Sequence, residues 1–443
     1  MVSFANRIPQ LRDRLDGHLR EVVAGAGLAF SLKVVAAGLT FAFNVVLARL
    51  LGAADTGVFF LALTVTTVGA VVGKGGLDLA MLRFVSGSAS VGDWSAVKGV
   101  YATGLRAAFI CSSAAAVAIF LVAPWLGASL FSEPRLTTLL RWMCVSIVPS
   151  ALYLIHAELL KGLRRIVEAI AVMGVIAPLI SVLSALVLIP RWGIRGATAA
   201  TVTASLVTLA FGIVFWRRAT PQLRGLVGRF ELSALWRSAR PLWGVALSQL
   251  VFQWSSLLML GIWASKADVG VFGAAARTAM LTSFVLVAFN SVLAPRFAAL
   301  HRQGDTAGLR RTVKSATMLM TILATPVLLV FLLLPRAIMG VFGPQFAPEG
   351  ALLLGIMAVG QFVNVSTGGV GILLVMTGNE RAMRDISTVS AALHVVLGAA
   401  LILRWGALGA ALATATSVAL QNILLVVTAK RRLGIMVMPG LER

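Results

Sequence analysis

Long apolar stretches alternate with short polar ones along almost the whole chain. A helix needs about 20 apolar residues to cross the hydrocarbon core of a bilayer, which is about 30 Å thick. Stretches of that length predict twelve membrane-spanning helices, at residues 23–50, 57–81, 99–124, 138–161, 166–190, 196–217, 241–264, 270–297, 312–340, 348–377, 384–403 and 407–429. Two connections, Ala53 to Thr56 and Arg191 to Arg195, are only four and five residues long. The pattern predicts an all-α polytopic membrane protein.

The composition excludes the soluble classes of protein. Hydrophobic residues make up 59% of the 443 residues, charged residues make up 12%, and the mean hydropathy is +0.94. A water-exposed surface requires about 25% charged residues. The chain is therefore neither a soluble globular protein nor a disordered one.

The charge balance is strongly basic, with 38 Lys and Arg against 16 Asp and Glu and a formal net charge of +22. In a soluble protein this excess would point to nucleic acid, whereas in a membrane protein cytoplasmic loops collect Lys and Arg. If both termini are cytoplasmic, 26 positive residues fall in cytoplasmic segments and 8 on the opposite side. This asymmetry predicts cytoplasmic termini, surrounding membrane lipids and no nucleic-acid partner.

The chain repeats itself at a fixed offset. ADTGVF at residues 54–59 recurs as ADVGVF at 267–272, and RWGIRGATAATVT from Arg191 recurs as RWGALGAALATAT from Arg404; both offsets are 213 residues. Parallel repeats of six spans are a common transporter plan, with the substrate site between them. The predicted organisation is a cytoplasmic N-tail (1–22), an N-lobe of spans 1–6 (23–217), a cytoplasmic connector (218–240), a C-lobe of spans 7–12 (241–430) and a cytoplasmic C-tail (431–443).

Two basic residues inside the spans are the leading candidates for substrate contact. Lys33 lies about ten residues from the cytoplasmic end of span 1, too deep for its ammonium to reach the surface easily. Arg277 lies about eight residues below the outer end of span 8. An unpaired charge at the centre of a bilayer costs at least about 2.5–3.5 kcal/mol. Each residue therefore either lines an aqueous cavity or takes part in a structural hydrogen bond between helices.

Further polar residues in the spans allow two interpretations. Lys74 and Asp78 stand four residues apart in span 2, either as a neutralised pair or as part of a cavity. Amide side chains on spans 7, 8 and 10 either tie helices together or bind a hydroxyl-rich ligand; they are Gln249, Gln253, Asn290 and Asn364. The four histidines lack ligand spacing, and both cysteines lie in apolar stretches. No metal site, cofactor or catalytic residue is therefore expected.

Four segments resemble a known family: LARLLGAADTGVFFLALTV after span 1, KADVGVFGAAARTAMLTSFVLVAFNSVLAPRFA around span 8, HAELLKGLRR at the end of span 4 and RWGIRGATAA before span 6. They are similar to the polysaccharide transporters, the O-antigen and exopolysaccharide flippases of the multidrug, oligosaccharidyl-lipid and polysaccharide exporter superfamily. The resemblance implies two six-helix lobes in a V around a cationic cavity lined by spans 1, 2, 7 and 8. It also implies an undecaprenyl-pyrophosphate-linked oligosaccharide as substrate and the bacterial inner membrane as location. Lys33 and Arg277 lie on these lining helices.

The leading hypothesis is therefore a lipid-linked oligosaccharide flippase that works by alternating access, with glycosyltransferases and a polysaccharide polymerase of the same pathway as partners. The main alternative is a cation-coupled multidrug exporter of the same superfamily. Deep carboxylates, which that function would favour, are scarce in the spans. A membrane-embedded ligase or polymerase would need a large outer loop, and the predicted outer loops are short.

Overall fold

A computed structural model describes the backbone of residues 7–435 and the side chains of residues 31–435, apart from those of Ala288, Ser291, Val292 and Pro295. The side chains of the expected N-tail and the end of the expected C-tail lie outside the described residues. Sixteen α-helices, joined by short 3-10 and π turns, account for most of the described backbone, and no strand occurs in it. The helices are α1 (Arg7–Lys74), α2 (Leu77–Ser90), α3 (Trp94–Trp125), α4 (Pro134–Met143), α5 (Ile147–Gly162), α6 (Ile166–Ile170), α7 (Ala177–Trp192), α8 (Ile194–Ala219), α9 (Leu232–Trp263), α10 (Lys266–Ala279), α11 (Phe284–Arg302), α12 (Thr306–Leu333), α13 (Pro335–Gly340), α14 (Ala347–Ser366), α15 (Val370–Met376) and α16 (Glu380–Leu433).

The prediction of an all-α polytopic membrane protein is confirmed. Ten helical segments among the described residues are long and apolar enough to cross a bilayer. Two of them, Ser31–Lys74 and Glu380–Leu433, have 44 and 54 residues. One crossing needs only about 20 residues. Each contains one glycine with non-helical dihedral angles, Gly52 or Gly406, at which the helix axis breaks. The count of twelve spans stays a prediction.

The sequence repeat corresponds to a repeated turn. Gly193 has φ 54° and ψ −136°, and Gly406, 213 residues later, has φ 52° and ψ −128°. Three residues beyond each turn a second glycine packs tightly: a Cβ would lie 2.1 Å from the Leu188 carbonyl oxygen at Gly196 and 2.0 Å from that of Leu401 at Gly409. Glycine is required at the first position of each pair by the positive φ and at the second by the close approach of the backbone. The RWG repeat is therefore conserved in conformation as well as in sequence between the two lobes.

The second predicted span differs from the expectation at its end. The helix stops at Lys74, and Gly75 and Gly76 take φ values of 57° and 73° before α2 begins at Leu77. Two successive left-handed residues end a helix because they cannot continue its hydrogen-bond ladder. Lys74 and Asp78 thus lie on either side of a break, not on one continuous helix face.

Buried apolar side chains show how the lobes meet. One end of the molecule, here called the distal end, carries the turns near Gly52, Glu133, Gly193, Ser265, Gly343 and Gly406. The opposite end carries residues 220–231 and is called the connector end. The largest apolar cluster lies at the distal end and contains residues of both lobes, from Leu47 to Ala200 and from Leu257 to Ala411. At the connector end the cores are separate, one built mainly from α2, α3 and α5 and one from α11, α12, α15 and α16. The lobes therefore share their largest core at the distal end, whereas at the connector end their cores are separate apart from the start of α9, which packs on the N-lobe.

The distal junction is centred on a crossing of α1 and α10 at two glycines of the other sequence repeat. A Cβ at Gly57 would lie 1.7 Å from the Lys266 carbonyl oxygen, and a Cβ at Gly270 would lie 2.1 Å from that of Ala53. The pairs are equivalent at the offset of 213 residues. Backbone-to-backbone packing of this kind lets two membrane helices approach closely. The repeated motif therefore forms the contact between the lobes.

The expected connector contains a short 3-10 turn and an extended stretch, and α9 begins within it, at Leu232. The extended stretch packs on the start of α3, where the Ser95 hydroxyl donates to the Val227 carbonyl and the Lys98 ammonium to the Leu226 carbonyl. Further along, Ala239 and Trp243 of α9 pack against Gly76. The beginning of α9 is thus attached to the N-lobe.

Candidate functional site

Two adjoining cavities share the side chain of Arg277. The first, here called the interlobe cavity, has a volume of about 240 Å³ and lies between α1 and the α10–α11 region. Its α1 wall includes Thr40, Phe41 and Asn44. The second, the C-lobe cavity, has a volume of about 250 Å³ and is lined by α9, α10, α14 and α16. A larger groove of about 760 Å³ lies on the distal surface of α12–α14, away from Arg277.

Arg277 is held by contacts from both lobes. It lies in the last turn of α10, and its Nη1 donates to the Gly273 carbonyl of the same helix at 3.1 Å. Its Cζ lies 3.8 Å from the ring centroid of Phe60 on α1 and 5.8 Å from that of Trp254 on α9. These cation–π contacts orient the guanidinium but leave its charge unneutralised. Nη2 is buried and has no hydrogen-bond partner among the described residues.

The position of Phe60 depends on the sequence repeat. Residues 60 and 273 are equivalent at the offset of 213, and they face each other where the lobes meet. A Cβ on Gly273 would lie 2.4 Å from the Phe60 ring and 3.1 Å from Arg277 Nη1. The absence of a side chain at Gly273 therefore makes room for the ring that supports the guanidinium.

Arg277 is the only charged residue among the described residues that line the two cavities. The remaining polar groups are neutral: the indole of Trp254 and the amides and hydroxyls of Thr40, Asn44, Gln249, Gln253, Ser256, Gln361 and Thr414. A buried, unpaired guanidinium is costly, and a phosphate or carboxylate offers the geometry that best satisfies it. The cavities can therefore receive an anion at Arg277 and hydroxyl groups around it.

Three of the predicted amides lie close together. Gln249 and Gln253, one helical turn apart on α9, both line the C-lobe cavity with Gln361. The Asn364 amide lies behind this wall, with Nδ2 3.4 Å from Gln361 Oε1, and Ser283 donates to the same Oε1 at 2.6 Å. Because Gln361 Oε1 accepts from both neighbours, its own amide group is oriented with the nitrogen as the remaining donor.

His394 lies next to the C-lobe cavity, and its position in the sequence did not indicate a role there. His394 is fully buried, with Nε2 3.0 Å from Ser256 Oγ, and Ser256 Oγ is 3.1 Å from Thr414 Oγ1. Thr414 donates its hydroxyl hydrogen to the Ala410 carbonyl, so it accepts from Ser256, and Ser256 in turn accepts from His394. The proton of the neutral ring is thus on Nε2. These hydrogen bonds connect α9 with the parts of α16 before and after Gly406.

The other predicted residues lie elsewhere. Lys33 is half-buried on α1, one turn beyond Ala36 and Ala37 of the interlobe cavity, and makes no hydrogen bond or ion pair with a described residue. Lys74 and Asp78 form an ion pair at 2.6 Å and line neither cavity, in agreement with the interpretation as a neutralised pair. Asn290 lies next to Gly369, where a Cβ would be 2.6 Å from its Oδ1, and does not line either cavity.

Sequence reasoning did not identify the aromatic residues around Arg277. Phe60 directly follows the repeated ADTGVF motif of residues 54–59 and is not itself repeated, because Gly273 stands at the equivalent position. One more apolar residue in an apolar span gives no sign of a contact with a charge. Trp254 lies in the interior of α9, whereas tryptophan in membrane proteins prefers the interfaces. That departure is the one signal in the sequence that could have identified it.

Comparison with solved structures identifies the fold. A multidrug resistance transporter of the MATE family in the MOP superfamily, in an inward-facing conformation, superposes with a TM-score of 0.72 over 92% of this chain and 98% of its own, at 15% identity. The lipid II flippase MurJ, in an inward closed conformation, superposes with a TM-score of 0.71 over 90% of this chain and 87% of its own, also at 15% identity. At this level of identity the likeness shows the fold alone: the chain has the two-lobed fold of MOP-superfamily transporters.

Sequence comparison then gives the family. The profile of the polysaccharide biosynthesis protein family matches residues 46–348, and the chain belongs to that family. Two proteins of Haloferax volcanii are similar to it: the probable low-salt glycan biosynthesis flippase Agl15, 24% identical over 174 residues, and the probable flippase AglR, 25% identical over 196 residues. These matches span 39% and 44% of this chain and 37% and 41% of the two relatives. The resemblance to polysaccharide transporters is confirmed.

Proposed function

We propose that this protein is a flippase that moves a lipid-linked oligosaccharide across the membrane. The observation that carries the proposal is the guanidinium of Arg277, buried between two cavities with one nitrogen lacking a partner among the described residues. A phosphate or pyrophosphate linker would supply the missing charge and acceptor oxygens. The neutral amides of Gln249, Gln253 and Gln361 would then contact sugar hydroxyls.

Two further observations support a flippase. The chain belongs to the polysaccharide biosynthesis protein family, and the relatives that it resembles carry the name flippase. The lobes share their largest core at the distal end, whereas at the connector end their cores are separate apart from the start of α9, as expected of one state of an alternating-access cycle. In this proposal the cavity receives substrate from the connector side and releases it on the distal side after the lobes rock.

The finer details are part of the same proposal. The substrate is an undecaprenyl-pyrophosphate-linked repeat unit of O-antigen or exopolysaccharide, the location is the bacterial inner membrane, and both termini are cytoplasmic. Lys33, one turn from the interlobe cavity on α1, attracts the anionic head before it reaches Arg277. Pathway glycosyltransferases and a polymerase supply and consume the substrate. The glycan is not altered by transport, so its mass is the same before and after.

Export of a cationic drug is the competing function within this fold. A cationic substrate requires carboxylates, and no acidic side chain is found among the described residues that line the two cavities. The single guanidinium would repel such a substrate. The observed charge therefore favours an anionic substrate.

The test is a flipping assay with purified protein in vesicles that contain a fluorescent polyprenyl-pyrophosphate oligosaccharide. Arg277→Gln should weaken substrate binding about tenfold or more, because hydrogen bonds to charged groups contribute about 1.5–3 kcal/mol. Arg277→Lys should retain part of the activity, since it keeps the charge but loses the planar fork. Arg218→Gln, an exposed arginine at the end of α8, is the matched control and should flip at the wild-type rate.

Equal flipping by the Arg277→Gln and Arg218→Gln proteins would refute the role of Arg277. Efflux of a cationic dye by the same vesicles, with no flipping of the lipid-linked glycan, would refute the flippase and favour the exporter. A Lys33→Ala variant with unchanged affinity would remove Lys33 from the proposal while leaving Arg277 in place.

A further inference from the structure

A second cationic groove lies on the outer surface of the N-lobe, far from Arg277 in the sequence and on different helices. It has a volume of about 430 Å³ and is formed by α3, α5 and α8. Apolar side chains line it at one-turn spacing on two of these helices, Leu105 and Phe109 on α3 and Leu209 and Ile213 on α8. Phe109 and Ile110 at its rim are 53% and 66% exposed. Exposed apolar side chains on a membrane-spanning helix face lipid, so the groove opens to the bilayer.

Arg106 lies in this groove and is exposed, with no ion pair or hydrogen bond to a described residue. Long side chains on a helix point toward its N-terminus. The N-terminus of α3 is at the connector end, where Lys98 also lies. The guanidinium therefore extends toward the lipid headgroups of that side, because an unpaired arginine deeper in the hydrocarbon costs several kcal/mol.

The Tyr101 hydroxyl oxygen, which lies on α3 between Arg106 and the connector end, is available as a hydrogen-bond acceptor. His156 Nδ1 is 2.8 Å from the Leu152 carbonyl oxygen, which can only accept, so this nitrogen carries the proton. Its Nε2, 3.2 Å from the Tyr101 hydroxyl, must then accept from Tyr101. His156 is 1% exposed, and the Tyr101 ring stacks on Trp216 with centroids 4.8 Å apart. The hydroxyl hydrogen is committed inward, and the lone pairs of Tyr101 remain available to an outside donor.

We infer that this groove is a binding site for an anionic phospholipid whose headgroup carries hydroxyl groups. The phosphate pairs with Arg106, a headgroup hydroxyl donates to the Tyr101 oxygen, and an acyl chain lies along Phe109, Ile110 and Ile213. Charge complementarity selects the anion, and the acceptor at Tyr101 selects a hydroxyl donor. Phosphatidylglycerol meets both requirements, whereas phosphatidic acid lacks the headgroup hydroxyls and phosphatidylcholine lacks both the net charge and a donor.

The test uses the full-length protein in detergent and counts bound lipids by native mass spectrometry. Wild type should retain one phosphatidylglycerol in preference to phosphatidylcholine. Arg106→Gln should weaken this binding about tenfold, since it removes hydrogen bonds to a charged group. Tyr101→Phe should reduce binding of phosphatidylglycerol but not of phosphatidic acid. Arg218→Gln, an exposed arginine outside the groove, is the control and should behave as wild type.

A second variant guards against loss of folding. Ile213→Trp fills the groove without changing charge and should also release the lipid. Equal lipid retention by the Arg106→Gln and Arg218→Gln proteins would show non-specific surface lipid and overturn the inference. Displacement of phosphatidylglycerol by equimolar polyprenyl phosphate would overturn it as well, because the groove would then belong to the substrate.

Discussion

The glycine crossing between α1 and α10 allows the closure of the distal end to be tested directly. A Cβ at Gly57 would lie 1.7 Å from the Lys266 carbonyl oxygen, whereas ordinary van der Waals contacts begin at 3.4 Å. The obstacle is backbone, which cannot rotate away. Gly57→Ala therefore requires the two helices to move apart by about 1.7 Å, the difference between these two distances, and overpacking of this kind costs about 1–3 kcal/mol.

Because that cost falls only on the state in which the distal ends touch, it should shift the population toward a distally open state. A difference of about 1–3 kcal/mol corresponds to a change of about 5–150-fold in the conformational equilibrium. The assay is the labelling rate of a cysteine introduced at Thr40 on the interlobe cavity, by a membrane-impermeant reagent added on the distal side. The rate should rise in Gly57→Ala and in Gly270→Ala.

Gly38→Ala is the matched control, since Gly38 lies on the same helix and nothing lies within 4 Å of a Cβ there. It should leave the labelling rate unchanged. If Gly57→Ala keeps the wild-type stability and labelling rate, the crossing does not hold the lobes together, and the argument from close packing is wrong.

Four further predictions concern other parts of the molecule. Gly273→Ala should displace the Phe60 ring and weaken substrate binding without changing the charge of the cavity, as measured by the affinity for the lipid-linked glycan; an unchanged affinity would mean that Phe60 does not position the guanidinium. Ser256→Ala should lower thermal stability by about 1–3 kcal/mol, because it removes the hydroxyl that bonds both His394 Nε2 and Thr414 Oγ1 in the buried interior, and a melting temperature equal to that of wild type would show that this hydrogen-bond chain does not stabilise the C-lobe. The hydrogen-bonded Arg135 guanidinium lowers the pKa of Glu133, so this pair should stabilise the fold above the ordinary carboxyl pKa and stop doing so as the pH falls through the lowered one; the difference in melting temperature between wild type and Glu133→Gln, measured against pH, should disappear in acid, and a constant difference would oppose this. Introduced cysteines at residues 225–235 should be labelled from the cytoplasm and one at residue 133 from outside, and the reverse pattern would refute the proposed orientation.

The sequence was sufficient to predict the class of fold because the evidence for it is local. Runs of apolar residues and the 213-residue repeat gave an all-α membrane protein with two related lobes. The broken helix at Gly75 and Gly76 was not predicted, because a pair of glycines within a long apolar stretch is common in membrane helices. Its consequence is that Lys74 and Asp78 pair across a break.

Arg277 and the amides of α9 were identified from the cost of polar groups in a bilayer, and they line the same cavity in the structure. Phe60 and the hydrogen bonds that join His394, Ser256 and Thr414 could not be found in this way. Their contacts join residues more than 130 positions apart, for example Ser256 with His394, or depend on the packing of one lobe against the other. Periodicity and composition carry no information about such distant pairs.

The repeat explains why the charge in the cavity is on one lobe only. In a two-fold arrangement equivalent residues meet, as Gly57 meets Gly270 and Phe60 meets Gly273. Two large side chains cannot occupy the second pair, because each would fill the space of the other. With Phe60 on one side and Gly273 on the other, a single aromatic ring is left at the junction, and it can support only the cation on the α10 side. The residue equivalent to Arg277 is Thr64, which is fully buried with its hydroxyl unpartnered among the described residues. An anionic head bound at Arg277 would therefore stay with the C-lobe while the N-lobe moves around it.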